Sequence, residues 1–280
     1  MNTIALLGGI YSNYRALEVA LADVQSRGVN ATYCLGDLGA FGPYPDRVYP
    51  LLRAAQVQCI QGNYDNSLAE GLADCQCGYT DPRDNYFARL SYNYTFRNTS
   101  DENKAWLRTL PGTRRLTLGN RQVLLCHGSP RKMNEFLWES TSPDCFLEYL
   151  LNLAQADIVC VTHTGIKWHR PLPGNRHFVN VGVLGRPEND GSTNVWYTLL
   201  SAESGAVRVE FVPVAYDYEA LAADMRQEHL PEEFVETILT GWWTTCLEIL
   251  PHKERARGRP DLSIRAGGSG CASGDALRGA

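Results

Sequence analysis

Over the first sixty residues, short apolar runs that stop at glycine or a polar residue alternate with segments whose apolar positions recur at helical spacing. Residues 4–7 form the first run, broken at Gly8-Gly9; residues 14–26 follow, with Leu17, Leu21 and Val24 on one face. Ser12 or Asn13 stands where a helix N-cap is needed. Residues 32–35 read as a buried strand, 36–42 as a glycine-rich turn, 46–55 as a helix and 57–60 as a third strand. Strand, helix, strand, helix, strand with short connections predicts right-handed crossovers and a largely parallel sheet.

The pattern weakens over residues 67–99, where an aromatic-rich helix is expected near 83–92. Ser100 then caps "DENKAWLRTL", acidic at its start and basic near its end, with Pro111-Gly112 as the stop. Residues 116–118 and 122–126 flank Gly119-Asn120 and predict a hairpin. A helix at 143–155, a buried strand at 157–161 and a strand at 177–181 come next. Residues 194–200 and 206–214 pair across "SAESG", and helices are expected near 218–227 and 231–243. From residue 253 the composition turns to Arg, Gly, Ser and Ala, too poor in apolar side chains to offset ordering entropy. The organisation expected is one α/β domain over 1–214, a helical extension over 215–252 and a flexible tail over 253–280.

Composition narrows the classes of function. A chain of 280 residues supports one large domain with an appendage. The net charge of −5 offers no basic field, which argues against an extended nucleic-acid surface. An odd count of nine scattered cysteines, with no signal peptide ahead of them, predicts a reducing, cytoplasmic setting. No apolar stretch approaches the roughly 20 residues of a membrane span. Cys75-Gln-Cys77 has no matching ligands nearby and reads as a pair of exposed loop cysteines. Trp242, Trp243 and Leu247 share an apolar face that packs on the domain or on a second subunit, leaving a homo-oligomer open.

Five strand ends carry the candidate chemistry: "GGIYSN", "LGDLGAFGP", "GNYDNS", "CHGSP" and "VTHTG". In an open α/β sheet such segments converge on one crevice, here bringing Asp37, Asn63, Asp65, His127 and His163 together. Carboxylate, amide oxygen and imidazole make a mixed shell suited to Mn, Fe, Zn or Ni rather than Ca or Mg. Taken singly, each residue has a plain structural reading as a turn residue, a backbone cap or a satisfied histidine. Their joint occurrence at strand ends favours a metal site.

The order GD, GN-x-D, HG, x-H-T resembles that of the calcineurin-like metallophosphoesterases, in particular their compact bacterial branch, over about residues 1–217. "YCLGDLGAFGPYPDRV", "SDENKAWLRTLP", "LLCHGSPRKMNEFL" and "FVNVGVLGRP" carry the likeness further. The resemblance implies an α/β β-sandwich of two mixed sheets flanked by helices, with a two-metal site at the strand ends. There, metal-activated water would cleave a small phosphoester or nucleotide-like substrate. It makes Asp37 the bridging aspartate and adds Asn63, His127 and His163 as ligands of one metal. The other metal's set is missing. Gly9 and Tyr11 stand where the family has Asp-x-His, Gly165 where it has a second histidine, and Tyr64 where it has the histidine that serves the leaving group.

Four departures on one side of one site suggest remodelling, since random decay would strike both ligand sets. One reading keeps a single metal, with Tyr11 and Tyr64 as hydrogen-bond donors or phenolates. Another keeps two metals, with Tyr11, Asp65 or His169 filling the gaps, and a third keeps none. Gly9 and Gly165 also open room for a larger substrate. Tyr64, Tyr11 and His127 are the candidates for a direct part in the chemistry. Asp65, Asn13, His169 and Arg170 are assigned to supporting the ligands or meeting substrate, and Lys167 is near enough in sequence to join them. The function expected is metal-dependent phosphoester hydrolysis at an altered site, with one or two divalent or trivalent ions. The alternatives are redox or lyase chemistry at a single iron or other metal, and a non-catalytic binding protein.

Overall fold

Strand β1 (Asn2–Leu7) buries both of its faces. Ile4 and Leu6 point into one apolar cluster and Ala5 and Leu7 into another, as the period of two along a strand requires when both sides are covered. The computed structural model describes residues 2–203 and 205–257. Among them, α1 (Tyr14–Ser26), β2 (Ala31–Cys34), α2 (Val48–Ala54) and β3 (Gln58–Cys59) follow β1 in the predicted alternation. Next come α3 (Asn63–Glu70), α4 (Pro82–Asn98), α5 (Asp101–Arg108), the hairpin β4 (Thr113–Leu118) and β5 (Arg121–Cys126), α6 (Asp144–Ala154) and β6 (Ile158–Val161). The order closes with β7 (Trp168–Leu172), β8 (Arg176–Asn180), β9 (Val195–Glu203), β10 (Ala206–Val214), α7 (Tyr218–Gln227), α8 (Glu232–Thr240) and α9 (His252–Ala256).

The strands form two five-stranded sheets, β10-β9-β1-β2-β3 and β4-β5-β6-β8-β7. β1, β2 and β3 are parallel, as the crossovers predict, and β9 adds antiparallel to β1 with Ile4 opposite Leu200. In the second sheet β5, β6 and β8 are parallel, while β4 and β7 form antiparallel edges. Both sheets are therefore mixed rather than largely parallel. Leu6, Leu35, Leu125, Ile158 and Val179 fill the space between them. Helices cover the outer faces: α1, α2, α4, α7 and α8 on the first sheet, α6 on the second.

Local chemistry accounts for most helix starts. Asn13 caps α1 by accepting from the Ala16 N–H, Asp81 caps α4, and Ser100 caps α5. α4 is longer than expected because the Asp81 cap starts it and its buried stripe, Phe87 to Thr95, continues past residue 92. α3 and β7 are not among the predicted elements: Gly62-Asn63 reads as a turn, and β7 contains Pro171. Pro171 is tolerated because β7 is an edge strand.

The C-terminal extension is part of the same core. Phe234 of α8 lies 4.7 Å from Phe41 and 5.9 Å from Phe87 between ring centroids. The expected start of a loose tail at residue 253 is corrected by α9, whose buried Glu254 accepts from the Ser140 N–H and hydroxyl. The rest of that predicted tail, from residue 258 on, lies outside the described residues. No helix among the described residues is long and apolar enough to cross a membrane.

Candidate functional site

The ends of β1, β2, β3, β5 and β6 meet at one edge of the two sheets. His127, just past β5 of the second sheet, donates from Nδ1 to the Leu35 carbonyl, just past β2 of the first, at 2.7 Å. That bond keeps the proton on Nδ1 and aims Nε2 at the site. Nε2 stands 3.3 Å from Asp37 Oδ2 and 3.1 Å from His163 Nδ1. Asp37 Oδ1 in turn accepts from the Tyr64 N–H at 3.1 Å. Asp37 and His163 both hold left-handed backbone, at φ 56° and 65°, a conformation that costs non-glycine residues energy and clusters at functional sites.

Asp65 holds this backbone in place. Its carboxylate accepts from the N–H groups of Asp37, Leu38 and Gly62 at 2.6, 3.0 and 2.9 Å, tying the β2 and β3 loops together. It also starts α3, which carries Asn63 in its first turn. Asn63 donates from Nδ2 to the Cys75 carbonyl at 2.8 Å and to Cys77 Sγ at 3.4 Å. Its Oδ1 is buried without a partner among the described residues, as is His163 Nε2. Cys75 and Cys77, expected as exposed loop residues, are buried and joined in a disulfide.

Charges in this cluster respond to burial and to one another. Burial raises the Asp37 carboxyl, but the neighbouring His127 and His163 and the Tyr64 N–H outweigh it and hold the group below the usual carboxylate range. Burial alone would lower His127, yet Asp37 raises it overall. Burial and His127 push His163 down to about 3, so its imidazole stays neutral and able to ligate across the neutral range. Asp65 is pushed up to about 7 by burial and by Asp37, against the pull of its backbone donors.

Asp37, His127 and His163 offer donor atoms within 4.8 Å of one another, a group that could hold a metal ion. Ligands bonded at about 2.1 Å to one ion sit about 3.0 to 3.4 Å apart, which the spacings on His127 match. The unpartnered Asn63 Oδ1 adds an oxygen donor of suitable type. Asp37, His127 and His163 thus have the donor types and spacing that could hold a metal ion.

The other side of the site is packed. The Tyr11 ring lies against Gly9, where a Cβ would come 2.5 Å from Cε1 of the ring. No aspartate can stand at position 9 while this ring is in place. Gly165 has φ 81°, and a Cβ there would meet the Trp243 ring at 3.3 Å and Arg186 Nη2 at 3.4 Å. Trp243 is fixed by donating from Nε1 to the Pro187 carbonyl at 2.6 Å and from its N–H to Asn189 Oδ1 at 2.9 Å. Of the two faces left open by the expectation for Trp243, it takes the one on its own domain. The residues present do not fit a second ion on this side.

Tyr64 donates its hydroxyl to Ser91 Oγ at 3.0 Å. Burial pushes both the Tyr64 and the Tyr11 phenol up, so both stay protonated in the neutral range. Asn13 links the start of α1 to the Gly185 carbonyl at 3.3 Å. His169 and Arg170 lie on β7 and are engaged there, His169 with His177 at 2.9 Å and Arg170 with Asp144 at 2.5 Å. Lys167 pairs with Glu188. A cavity of about 50 Å³ is lined by Asp37, His163, Tyr11, Tyr64, Arg186 and Phe41, among others. Arg186 is the residue that sequence reading missed: it stands in "FVNVGVLGRP", and its one signal is a cation in a short loop of glycine, proline and apolar residues.

A family model described as the calcineurin-like phosphoesterase superfamily domain matches residues 3–205. The "Uncharacterized protein MJ0912" of Methanocaldococcus jannaschii is 25% identical over 252 residues, which span 85% of this chain and 98% of that protein. The crystal structure of the hypothetical protein PH1004 from Pyrococcus horikoshii OT3 superposes with a TM-score of 0.72 at 22% identity, covering 87% of this chain and 100% of that one. That of a metallophosphoesterase from Sphaerobacter thermophilus gives a TM-score of 0.65 at 24% identity, covering 86% and 99%. The two mixed sheets with flanking helices are common to this fold, and the motif order on their strand ends is met by a family match over most of the chain. The protein belongs to the calcineurin-like phosphoesterase superfamily.

Proposed function

We propose that this protein is a metal-dependent phosphoesterase that works with a single ion, held by Asp37, Asn63, His127 and His163, on small phosphoester substrates. The observation that carries the reading is the asymmetry of the site. Donor atoms converge at ligand spacing on one side, while the Tyr11 and Trp243 rings fill the other. When bound, such an ion polarises a phosphoryl oxygen and makes nearby water more acidic.

The chain's own residues prepare that chemistry. The Leu35 carbonyl keeps the His127 Nδ1 proton in place and so presents Nε2 to the site. Asp65 presets the loops that carry Asp37 and Asn63, so little ordering remains to be done on binding. Aromatic side chains, Tyr11, Tyr64 and Phe41 among them, line the cavity beside Asp37 and His163. The Tyr64 hydroxyl donates to Ser91 Oγ, which supports a hydrogen-bonding role for this phenol.

The test is elemental analysis of protein purified without chelators, alongside hydrolysis of chromogenic phosphomonoesters and diesters with added manganese. One ion per chain, lost with activity in His163→Ala, is the expected result. Two ions per chain would overturn the single-ion reading, and none, with no hydrolysis, would leave a crevice that binds without catalysing.

A further inference from the structure

We propose that Arg186 is the substrate-binding cation of this site, receiving two oxygens of a terminal phosphoryl group, and that the substrates are accordingly phosphomonoesters. The inference rests on the single-ion reading above. Arg186 is 6% exposed, and its guanidinium lies 3.6 Å over the Trp243 ring and 5.7 Å from the Tyr11 centroid. It has no hydrogen-bond or carboxylate partner among the described residues, and its Nε is buried and unpaired. A guanidinium buried without a counter-charge is costly, and folded chains keep such groups where a ligand supplies the missing anion.

Its place says which anion. Arg186 lines the same cavity as Asp37 and His163, two of the metal donors. Its Nη2 lies 3.4 Å from where a side chain at position 165 would begin, so the cation occupies the packed half of the site. Stacking on Trp243 fixes the plane of the fork and leaves its N–H edges free, the geometry that takes two phosphoryl oxygens side by side. Trp243 is itself held by Pro187 and Asn189, so the fork is set before substrate arrives. With two oxygens on the fork and a third toward the ion's donors, all three non-bridging oxygens of a monoester are used. A diester has only two. The positive charge that a second ion would have brought is thus supplied by the chain.

The experiment is calorimetric titration of inorganic phosphate into the metal-loaded protein and into its Arg186→Gln and Arg186→Lys variants, with metal content measured on each sample. Arg186→Gln is expected to keep its ion and to bind phosphate at least about tenfold more weakly, the usual loss for a hydrogen-bonded charge partner. Arg186→Lys, which keeps the charge and loses the fork, falls between. The ratio of monoester to diester kcat/KM drops in both variants. Unchanged phosphate affinity in Arg186→Gln overturns the proposal, as does a second ion in the wild-type protein. If Arg186→Gln does not fold, Arg186→Lys decides, and an affinity equal to wild type overturns the proposal. If the wild type holds no ion, the single-ion reading fails. The titration of the ion-free protein then still supports Arg186 as the anion site if the variants lose binding, and refutes it if they do not.

Discussion

The two halves of the site differ in what holds their residues. In the donor half, Asp37, Asn63 and His127 are positioned by hydrogen bonds to backbone and His163 by its contact with His127 Nε2, and two polar atoms, Asn63 Oδ1 and His163 Nε2, are left unpaired. In the other half the positions are closed by rings: Tyr11 over Gly9, and Trp243 with Arg186 against Gly165. Side chains from three distant parts of the chain, Tyr11, Arg186 and Trp243, occupy the space around Gly9 and Gly165, so this half depends on packing between segments far apart in sequence.

The most severe way to break the contrast is to remove a donor. Asp37→Asn keeps the shape of the side chain and takes away the charge that faces His127 Nε2 at 3.3 Å. We expect loss of the bound ion in elemental analysis and a fall in phosphoester hydrolysis of about 10³-fold, the several kcal/mol that metal stabilisation supplies. Retained ion and activity would mean that the donor half is structural.

The packed half is tested by putting a ligand back. Gly9→Asp places a Cβ 2.5 Å from the Tyr11 ring and should destabilise the fold by about 2 to 4 kcal/mol in urea unfolding without adding a second ion. Adding Tyr11→His to the same chain should recover most of that loss, with a coupling of about 1 to 3 kcal/mol between the two positions. Additive effects would show that positions 9 and 11 are not energetically coupled.

Asp65 underlies the donor half because it anchors the loop on which Asp37 sits and the helix that begins at Asn63. Asp65→Asn leaves one acceptor oxygen for three N–H groups and aims an amide N–H at one of them. The expected result is a 10- to 100-fold weaker metal affinity by competition with a chelator, the usual effect of losing a group that orients ligands. An unchanged affinity would separate loop anchoring from ligand placement.

Most of the donor half was legible in the sequence, and most of the packed half was not. The donors sit in short motifs directly after strands whose period is plain, so topology alone carries Asp37, Asn63, His127 and His163 to one edge. The absences at Gly9, Tyr11 and Gly165 could be read from the same motifs. What fills them could not, because Trp243 reaches Gly165 from about 80 residues later and Arg186 is defined by its lack of partners, which only packing reveals. The start of α3 escaped for a related reason: Gly62-Asn63 reads as a turn, and the carboxylate that makes it a helix start also bonds to the β2 loop. His169 and Arg170 follow His163 closely in sequence, yet β7 carries them into other partnerships.

Tyr64 offers the finest cut between the halves. It stands where leaving-group chemistry was expected, and it lines the cavity, but its hydroxyl is bonded to Ser91 Oγ. Ser91 Oγ also accepts from the Phe41 N–H at 2.7 Å, so removing the phenol hydroxyl leaves the serine still partnered. If the bond only ties α3 to α4, Tyr64→Phe should cost about 0.5 to 1.5 kcal/mol in unfolding and change kcat by less than about threefold. If Tyr64 serves the leaving group, its loss would slow poor leaving groups by about 10²-fold or more while sparing activated nitrophenyl esters, which need no proton. The hydrogen bond to Ser91 and the upward push of burial on the phenol both favour the smaller effect, so a steep leaving-group dependence would move Tyr64 from the packed half into the chemistry.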